Sequence, residues 1–399
     1  MSKIKSLVFV SNYFNHHQKF LSDEFKTLFG NNYFFIETTP METERKQIGW
    51  KEYDEPYLVK SFESDEEREK SIQLINNADL VITGSADELY LKERIKLGKI
   101  IFRYSERPFK GKDKLIRFPI RFIKYNIRNP RRKPIYLLCS SAFTYSDYQK
   151  MLLFKNKAFK WGYFPQVNEY PSIEKLISKK VKNSILWCGR MINFKHFEDA
   201  IYAVKKLVDD GYSIEFKAIG DGILKESMIE LTKKLHLENV VLFLGSLSSD
   251  KVRAYMEQSQ IYLFTSDFDE GWGAVLNESM NSGCAVVCSH SIGAAPFLIS
   301  NRNNGLIYKC HDILEMATCI EYLLDNPNVM CNIQKNAYFT MINNWSPKIA
   351  ADRVVKLAEH LTSKKSNIKN QFLDGPCSNA SLIKNNWYDG NNKNDLRKK

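Results

Sequence analysis

Short apolar runs recur along this chain, and each gives way to a polar or glycine-containing stretch. In the first half, runs at 7–11, 33–37, 79–83, 99–103 and 136–140 read as buried strands. Between them, 19–29, 65–77 and 146–154 carry the spacing of helices. A second series follows. Strands are expected at 184–188, 213–219, 240–244, 261–264 and 285–289, and helices at 196–209, 223–235, 251–258, 274–282, 312–325 (preceded by Gly305-Leu306-Ile307-Tyr308) and 346–361. The alternation predicts an α/β chain of parallel sheets covered by helices on both faces. Ligands of such sheets bind beyond the carboxyl ends of strands, which in the first half are 11–17, 84–88, 104–107 and 141–144. Trp161-Gly162-Tyr163-Phe164-Pro165 breaks the pattern. It divides a first domain, 1–165, from a second, 166–345. A closing helix at 346–362 and a Lys- and Asn-rich tail at 363–399, with a composition that allows partial disorder, complete the chain.

A length of 399 residues suits two domains rather than one core. With 44% hydrophobic and 26% charged residues, the composition is that of a soluble globular protein. No apolar run approaches bilayer-spanning length. Met1-Ser2-Lys3-Ile4-Lys5 lacks the apolar core of a signal peptide, so a cytoplasmic location is expected. The eight cysteines show no paired C-x-x-C spacing and read as reduced, packed thiols.

The net charge of +12 changes the picture, because it points to an anionic partner. It is concentrated at 107–133, where eleven Lys or Arg face a single acid, Asp113, among Phe109, Phe118, Ile120, Phe122, Ile123 and Tyr125. Such a basic, aromatic, partly helical segment suits an anionic membrane surface. It could also be a solvated helix packed on the sheet. Single-stranded nucleic acid needs similar ingredients, but no nucleic-acid-binding motif accompanies them, and no nucleic-acid partner is expected.

The candidate chemistry centres on 266–278. A buried strand runs into a turn, Asp267-Phe268-Asp269-Glu270-Gly271-Trp272-Gly273, and then into a helix starting near Ala274 and Val275. Amides at the start of such a helix can face an anion. Glu270 in the turn and Glu278, about two turns into the helix, could accept from sugar hydroxyls. Arg190 at one strand end and Lys195 five residues on could bind a diphosphate by charge-assisted hydrogen bonds. Each feature alone arises readily by chance.

As a set, the features resemble a known family. Gly189-Arg190 with Lys195, then Gly220-Asp221-Gly222, then Glu270-Gly271-Trp272-Gly273 through Glu278, then Asn304-Gly305-Leu306, is similar in order and spacing to the retaining GT-B glycosyltransferases of family 4. The E-x7-E signature is Glu270 and Glu278, and the resemblance covers roughly 184–345. Asn12-Tyr13-Phe14-Asn15-His16-His17 and the Trp161 stretch resemble capsule or cell-surface polysaccharide transferases.

The resemblance implies two Rossmann-like domains facing across a cleft, with an acceptor domain first and a nucleotide-sugar donor domain second. The donor would be a nucleotide diphosphate sugar, and the acceptor a glycan or lipid-linked glycan. Arg190 and Lys195 would neutralise the diphosphate, Glu278 would hold the ribose, and Glu270 would contact the transferred sugar. Backbone groups at Gly271, Trp272, Gly273, Ala274 and Val275 would meet phosphate, and the loops at Gly220–Gly222 and at Gly245, Ser246 and Leu247 would border the base. No metal or other cofactor is expected. Asp267-Phe268-Asp269 has the D-x-D form, but it abuts Glu270 inside the motif. The sequence departs from the family after the first strand, where 12–18 lacks glycine and carries His16 and His17. Beyond a later strand it reads Tyr104-Ser105-Glu106-Arg107. Glu106, His16 or His17 could orient or deprotonate the acceptor. Two rival readings are a sugar-nucleotide epimerase on the same fold and a basic nucleic-acid-binding or scaffold protein.

Overall fold

The computed structural model describes residues 3–47, 50–110, 117–363 and 372–388. The chain forms two compact units. One comprises Met1–Gln166 with Trp345–Ile383, and the other Val167–Asn344 with Lys384–Lys399.

The first unit is built on a seven-stranded sheet: β1 (Leu7–Ser11), β2 (Tyr33–Glu37), β3 (Leu58–Lys60), β4 (Leu80–Thr83), β5 (Ile101–Ser105), β6 (Ile135–Cys139) and β7 (Ala158–Lys160), in the order β3-β2-β1-β4-β5-β6-β7. Every pairing is parallel. Parallel strands need helical crossovers, so both sheet faces are covered and the strands read as continuous apolar runs. β1 is buried at all five positions and β4 at all four. The edge strands β3 and β7, three residues each, are too short to show such a run. The first helix runs His16–Phe29, earlier than the expected start at 19. Asn15 caps it, accepting from the His17 amide at 2.9 Å, while Gln18 accepts from the Asn15 amide at 3.2 Å. This puts His16 and His17 on the helix rather than in a loop. The helix Pro347–Thr362 packs on His16–Phe29 within this unit. Part of the polar tail is ordered against β7: Lys160 donates to the Ser378 carbonyl and Cys377 to the Lys160 carbonyl, both at 2.8 Å. The tail residues 364–371 and 389–399, and with them that part of the expectation of disorder, lie outside the described residues.

The second unit holds a six-stranded parallel sheet: β8 (Val181–Cys188), β9 (Glu215–Ile219), β10 (Val241–Gly245), β11 (Ser259–Phe264), β12 (Ala285–Ser289) and β13 (Leu306–Tyr308), in the order β10-β9-β8-β11-β12-β13. Ile185, Ile261 and Val287 pack with Ala200, Val204 and Ile320 of the covering helices. Strand order reverses between β8 and β11 here, and between β1 and β4 in the first unit. These are the topological switch points at which open α/β sheets bind ligands.

One buried cation ties down the helix that carries Glu278. Lys180, 7% exposed, donates from Nζ to the carbonyls of Met256 (2.9 Å), Glu257 (3.0 Å), Ser259 (2.9 Å) and Ser282 (2.9 Å). These carbonyls close the helices Ser249–Gln258 and Val275–Asn281. Helix C-termini leave carbonyls without partners and carry partial negative charge. Burial lowers the Lys180 pKa, and the carbonyl cage supplies the acceptors that its ammonium loses with water. None of the eight cysteines is in a disulfide. Among the described residues, no helix is long and apolar enough to cross a membrane.

Candidate active site

In the second unit, the loops after β8 and β11 meet at the switch point. Asp267 donates from its amide to the Phe194 carbonyl at 3.0 Å, and Thr265 Oγ1 donates to the Lys195 carbonyl. These bonds fix Lys195 opposite the Glu270 turn. Lys195 Nζ donates to Glu270 Oε2, and Ser266 Oγ donates to the same oxygen at 2.9 Å. Both charged side chains are 13% exposed, a burial at which an ion pair is only partly screened. Arg190 is exposed at the end of β8.

Two glycines permit this packing. Gly220 has φ +132°, and a Cβ there would lie 1.8 Å from the Gly189 carbonyl oxygen. Gly273 has φ +89°, and its Cβ would meet the Phe264 ring at 2.6 Å. Only glycine fits either position without backbone movement. The helix after the turn runs Val275–Asn281. Glu278 is therefore its fourth residue, in the first turn, rather than two turns in. Even from the expected start at Ala274 it is only the fifth residue, so at 3.6 residues per turn two turns overstates its depth. Burial raises the Glu278 carboxyl above its usual range, and Arg253 opposes the shift. Arg253 donates to the Glu278 carbonyl at 3.1 Å and to Asn281 Oδ1 at 3.0 Å, so it also braces the helix.

A second polar cluster adjoins the turn. His196 takes a left-handed backbone, φ 46° and ψ 51°, uncommon outside glycine and found where surrounding contacts enforce it. Its Nε2 lies 3.1 Å from Asp267 Oδ2 and its Nδ1 3.1 Å from Glu198 Oε1. Burial acts to lower the imidazole pKa, but the hydrogen bonds to Asp267 and Glu198 outweigh it and raise the value to about 9. His196 is thus a cation at neutral pH. His311 Nδ1 lies 3.0 Å from Asp199 Oδ2, and its ring meets that of His196 edge-on at 4.2 Å. His196, Asp199 and His311 each offer a ligand atom, all within 4.8 Å of one another. Asp267, the first carboxylate of the D-x-D form, is occupied by His196 and by the Asp269 amide at 2.8 Å.

The first unit has a cavity of about 550 Å³ at its β1/β4 switch point, reached by Ser11, Asn12, Thr83, Gly84 and Ser85. Its aromatic walls include Tyr13, Trp50, Tyr104 and Tyr163. Tyr163 stacks on His17, with ring centres 5.1 Å apart, and its hydroxyl donates to Glu106 Oε1 at 2.6 Å. Glu106 Oε2 accepts from Lys110. Burial, with His16 and Arg45 nearby, lowers the His17 pKa to about 3. His17 is therefore neutral, suited to orienting a hydroxyl and too weak to hold its proton. His16, its pKa lowered by burial, packs on Trp50 and is not part of the cavity wall.

Residues 171–340 match the family model for glycosyl transferases group 1. The second unit is a glycosyl transferases group 1 domain. A Campylobacter jejuni relative, N-acetylgalactosamine-N,N'-diacetylbacillosaminyl-diphospho-undecaprenol 4-alpha-N-acetylgalactosaminyltransferase, is 31% identical over 142 residues, 36% of this chain and 37% of that protein. Protein CapJ of Staphylococcus aureus is 25% identical over 163 residues, 39% of this chain and 40% of CapJ. The chain thus spans well under half the length of these curated relatives. Among solved structures, Anabaena HepE in complex with UDP has a TM-score of 0.64 at 14% identity, covering 88% of this chain and 98% of that one. A glycosyltransferase from Rickettsia africae has a TM-score of 0.64 at 16% identity, covering 91% and 100%. The fold is GT-B.

Within the group 1 domain, Arg190, Lys195, Glu270 and Glu278 all stand on elements at the β8/β11 switch point. Gly189, Gly220 and Gly222 pack the ends of β8 and β9 against each other, and the Gly189 amide donates to the Ile219 carbonyl at 3.0 Å. Asp221 is committed to its own turn, accepting from the Gly222 amide and Lys225, both at 2.8 Å. Ser246 is exposed and Leu247 half-buried. The Trp272 side chain does not face a ligand: it is 1% exposed and donates to Asn277 Oδ1 at 2.8 Å, leaving only its backbone for the turn. His196 escaped sequence reasoning, which placed Ser266 and Asp267 in the turn without assigning either a partner. The His196–Asp267 contact joins positions 71 apart, so no local spacing announces it.

Proposed function

We propose that this chain is a retaining, family 4 type glycosyltransferase of surface polysaccharide synthesis, using a nucleotide diphosphate sugar and a glycan or lipid-linked acceptor. The observation that carries the reading is the Lys195–Glu270 pair with Glu278 at the switch point of a group 1 domain. Lys195 and Arg190 meet the charge of the leaving diphosphate, so the reaction needs no resident metal. Amides of the Gly273 turn add fixed donors, and preorganised donors of this kind supply much of an enzyme's rate enhancement. Glu278 accepts from the ribose, and Glu270 from the transferred sugar. The bond between the sugar's anomeric carbon and the diphosphate oxygen breaks. A bond from that carbon to an acceptor oxygen forms on the same face, and the acceptor proton passes to the leaving phosphate. The first unit's cavity, with its aromatic walls and Glu106 and His17, holds the acceptor. HepE binding UDP and a Campylobacter jejuni relative named for a diphospho-undecaprenol substrate agree with both halves.

Thermal shift with UDP, GDP, ADP and their sugars tests the donor. One base is expected to raise the melting temperature, since ligand at a hundredfold excess over Kd adds about 2.7 kcal/mol. No rise with any of them at millimolar concentration sinks the reading.

We further propose that the protein sits on the inner face of an anionic membrane through 107–133. The basic residues do not act together there. Arg107 is buried against Asp147, Lys110 pairs with Glu106, and Arg121 donates to the Pro108 carbonyl at 2.9 Å. Residues 111–116 lie outside the described residues. What supports membrane contact is the helix Phe118–Arg128, which exposes Ile120 (70%), Ile123 (61%) and Ile127 (75%) beside Lys124. Burying a few isoleucines at about 1.5–3 kcal/mol each, with basic residues alongside, is enough for reversible attachment. Wild-type protein should co-sediment with phosphatidylglycerol vesicles at low salt, and Ile123→Asp should not, while keeping its nucleotide response. Wild type remaining in the supernatant removes the membrane from the proposal.

A further inference from the structure

The cavity of the first unit carries more positive charge than its own partners neutralise. Arg45, Arg103, Arg107 and Arg128 line it, against Glu88 and Glu106. Two of these charges are settled locally. Arg107, 3% exposed, donates to Asp147 at 3.1 and 3.3 Å, and Glu106 is held by Lys110. That leaves Glu88 as the remaining carboxylate of the wall against Arg45, Arg103 and Arg128. It accepts from both terminal nitrogens of Arg103 at 2.8 Å and lies 3.6 Å from Arg128 Nε. Among the described residues, Arg45 has a loose contact with Glu42 at 3.6 Å and a position over the Trp50 ring. The buried Arg103 Nε–H has no hydrogen-bond partner among the described residues.

We propose that the cavity binds an anionic group of the acceptor, a phosphate or a carboxylate, between Arg103, Arg128 and Arg45. This rests on the transferase reading and names the acceptor class that reading leaves open. A neutral glycan offers hydroxyl oxygens but no charge, and would leave the excess of guanidinium over carboxylate in the cavity wall unbalanced. An anion accepts from the arginines and offsets that excess. Guanidinium groups hold phosphate and carboxylate with paired, directional hydrogen bonds. Trp50 and the stacked pair of His17 and Tyr163 supply flat surfaces for the attached sugar. Two sources of the anion share this chemistry: the diphosphate of a lipid carrier and the carboxylate of an acidic sugar. The helix Phe118–Arg128 contributes Tyr125 and Arg128 to the cavity while its isoleucines face outward, which favours the lipid carrier.

The test is calorimetric titration of the full chain, held saturated with the nucleoside diphosphate that raises its melting temperature. This keeps the donor site from taking up the probe. Geranyl diphosphate probes the lipid-phosphate source, and glucuronate the acidic-sugar source. One of the two is expected to bind, and Arg103→Gln and Arg128→Gln should each weaken it at least tenfold with unchanged nucleotide affinity. Binding of geranyl diphosphate assigns the anion to a lipid carrier, and binding of glucuronate to an acidic sugar. If Arg103→Gln does not fold, Arg128→Gln at the more exposed rim decides. No binding of either probe, or binding indifferent to these arginines, overturns the anionic acceptor. Nucleotide binding retained alongside that result leaves the transferase reading standing, whereas nucleotide binding absent from wild type strikes that reading itself.

Discussion

Lys195→Ala is expected to lower glycosyl transfer by about 10²–10³-fold, the loss typical of removing one preorganised donor from a developing negative charge. Lys195 is held in place before any ligand arrives, since its loop is bonded to the residues that follow β11 through Thr265 and the Asp267 amide. No reorganisation is then needed when charge builds on the diphosphate. Glu270 accepts from Lys195 in the ligand-free chain and so marks where negative charge is stabilised. Without Lys195, Glu270 keeps the Ser266 hydroxyl at 2.9 Å but loses its counter-charge. The fold should persist with a melting temperature only a few degrees lower. Initial rates with the donor found by thermal shift provide the check, and turnover within threefold of wild type would show that the diphosphate is bound elsewhere. Glu270→Gln, which keeps an acceptor oxygen and removes the charge, should fall between the two.

Lys180→Ala should be the most damaging single change to stability, at about 3–5 kcal/mol, comparable to breaking a buried ion pair. Four carbonyls lose one shared donor, and each unsatisfied buried group costs about 1–3 kcal/mol before water enters the vacated space. The damage falls on the ends of the helices Ser249–Gln258 and Val275–Asn281. The second of these carries Glu278, so nucleotide affinity should fall together with the unfolding midpoint. Lys180→Arg keeps the charge but cannot place its planar fork where one ammonium serves four oxygens, and should recover only part of the loss. Denaturant unfolding of the full chain measures the effect, and a midpoint unchanged in Lys180→Ala would refute the proposed cage.

Much of the fold can be read from the chain because parallel strands buried on both faces must be apolar throughout. β1, β2 and β12 fall where their runs predict them. The edge strands β3 and β7 and the helix Pro327–Asn343 do not announce themselves. The strands are three residues long, and the buried stripe of the helix, Met330, Ile333, Gln334, Ala337, Tyr338 and Met341, includes a glutamine while Phe339 is exposed, which blurs the apolar pattern. The start of the first helix was readable, since Asn15 and Gln18 have capping-box spacing, but two adjacent histidines suggest a loop. At the site, Arg190, Lys195, Glu270 and Glu278 stand at fixed offsets from strand ends and glycines, so spacing finds them. His196 and Asp267 depend on which strands are neighbours. So do Arg103, Glu88 and Arg128 in the first unit. Strand order is set by packing, and no local pattern encodes it.

The first unit is not contiguous in sequence. Its helix Pro347–Thr362 and the Cys377 segment along β7 come after the whole of Val167–Asn344. On the ribosome, residues 1–166 therefore emerge without the helix that packs on His16–Phe29. At about 5–20 residues per second, roughly 10–35 s of synthesis pass before that helix appears. The second unit is also discontinuous: Val167–Asn344 can fold before that helix appears, and the segment that sets Trp387 and Tyr388 on the His290 and Ile307 carbonyls is added after it. During that interval the nascent first unit shows an uncovered apolar helix face, a natural place for a chaperone to act.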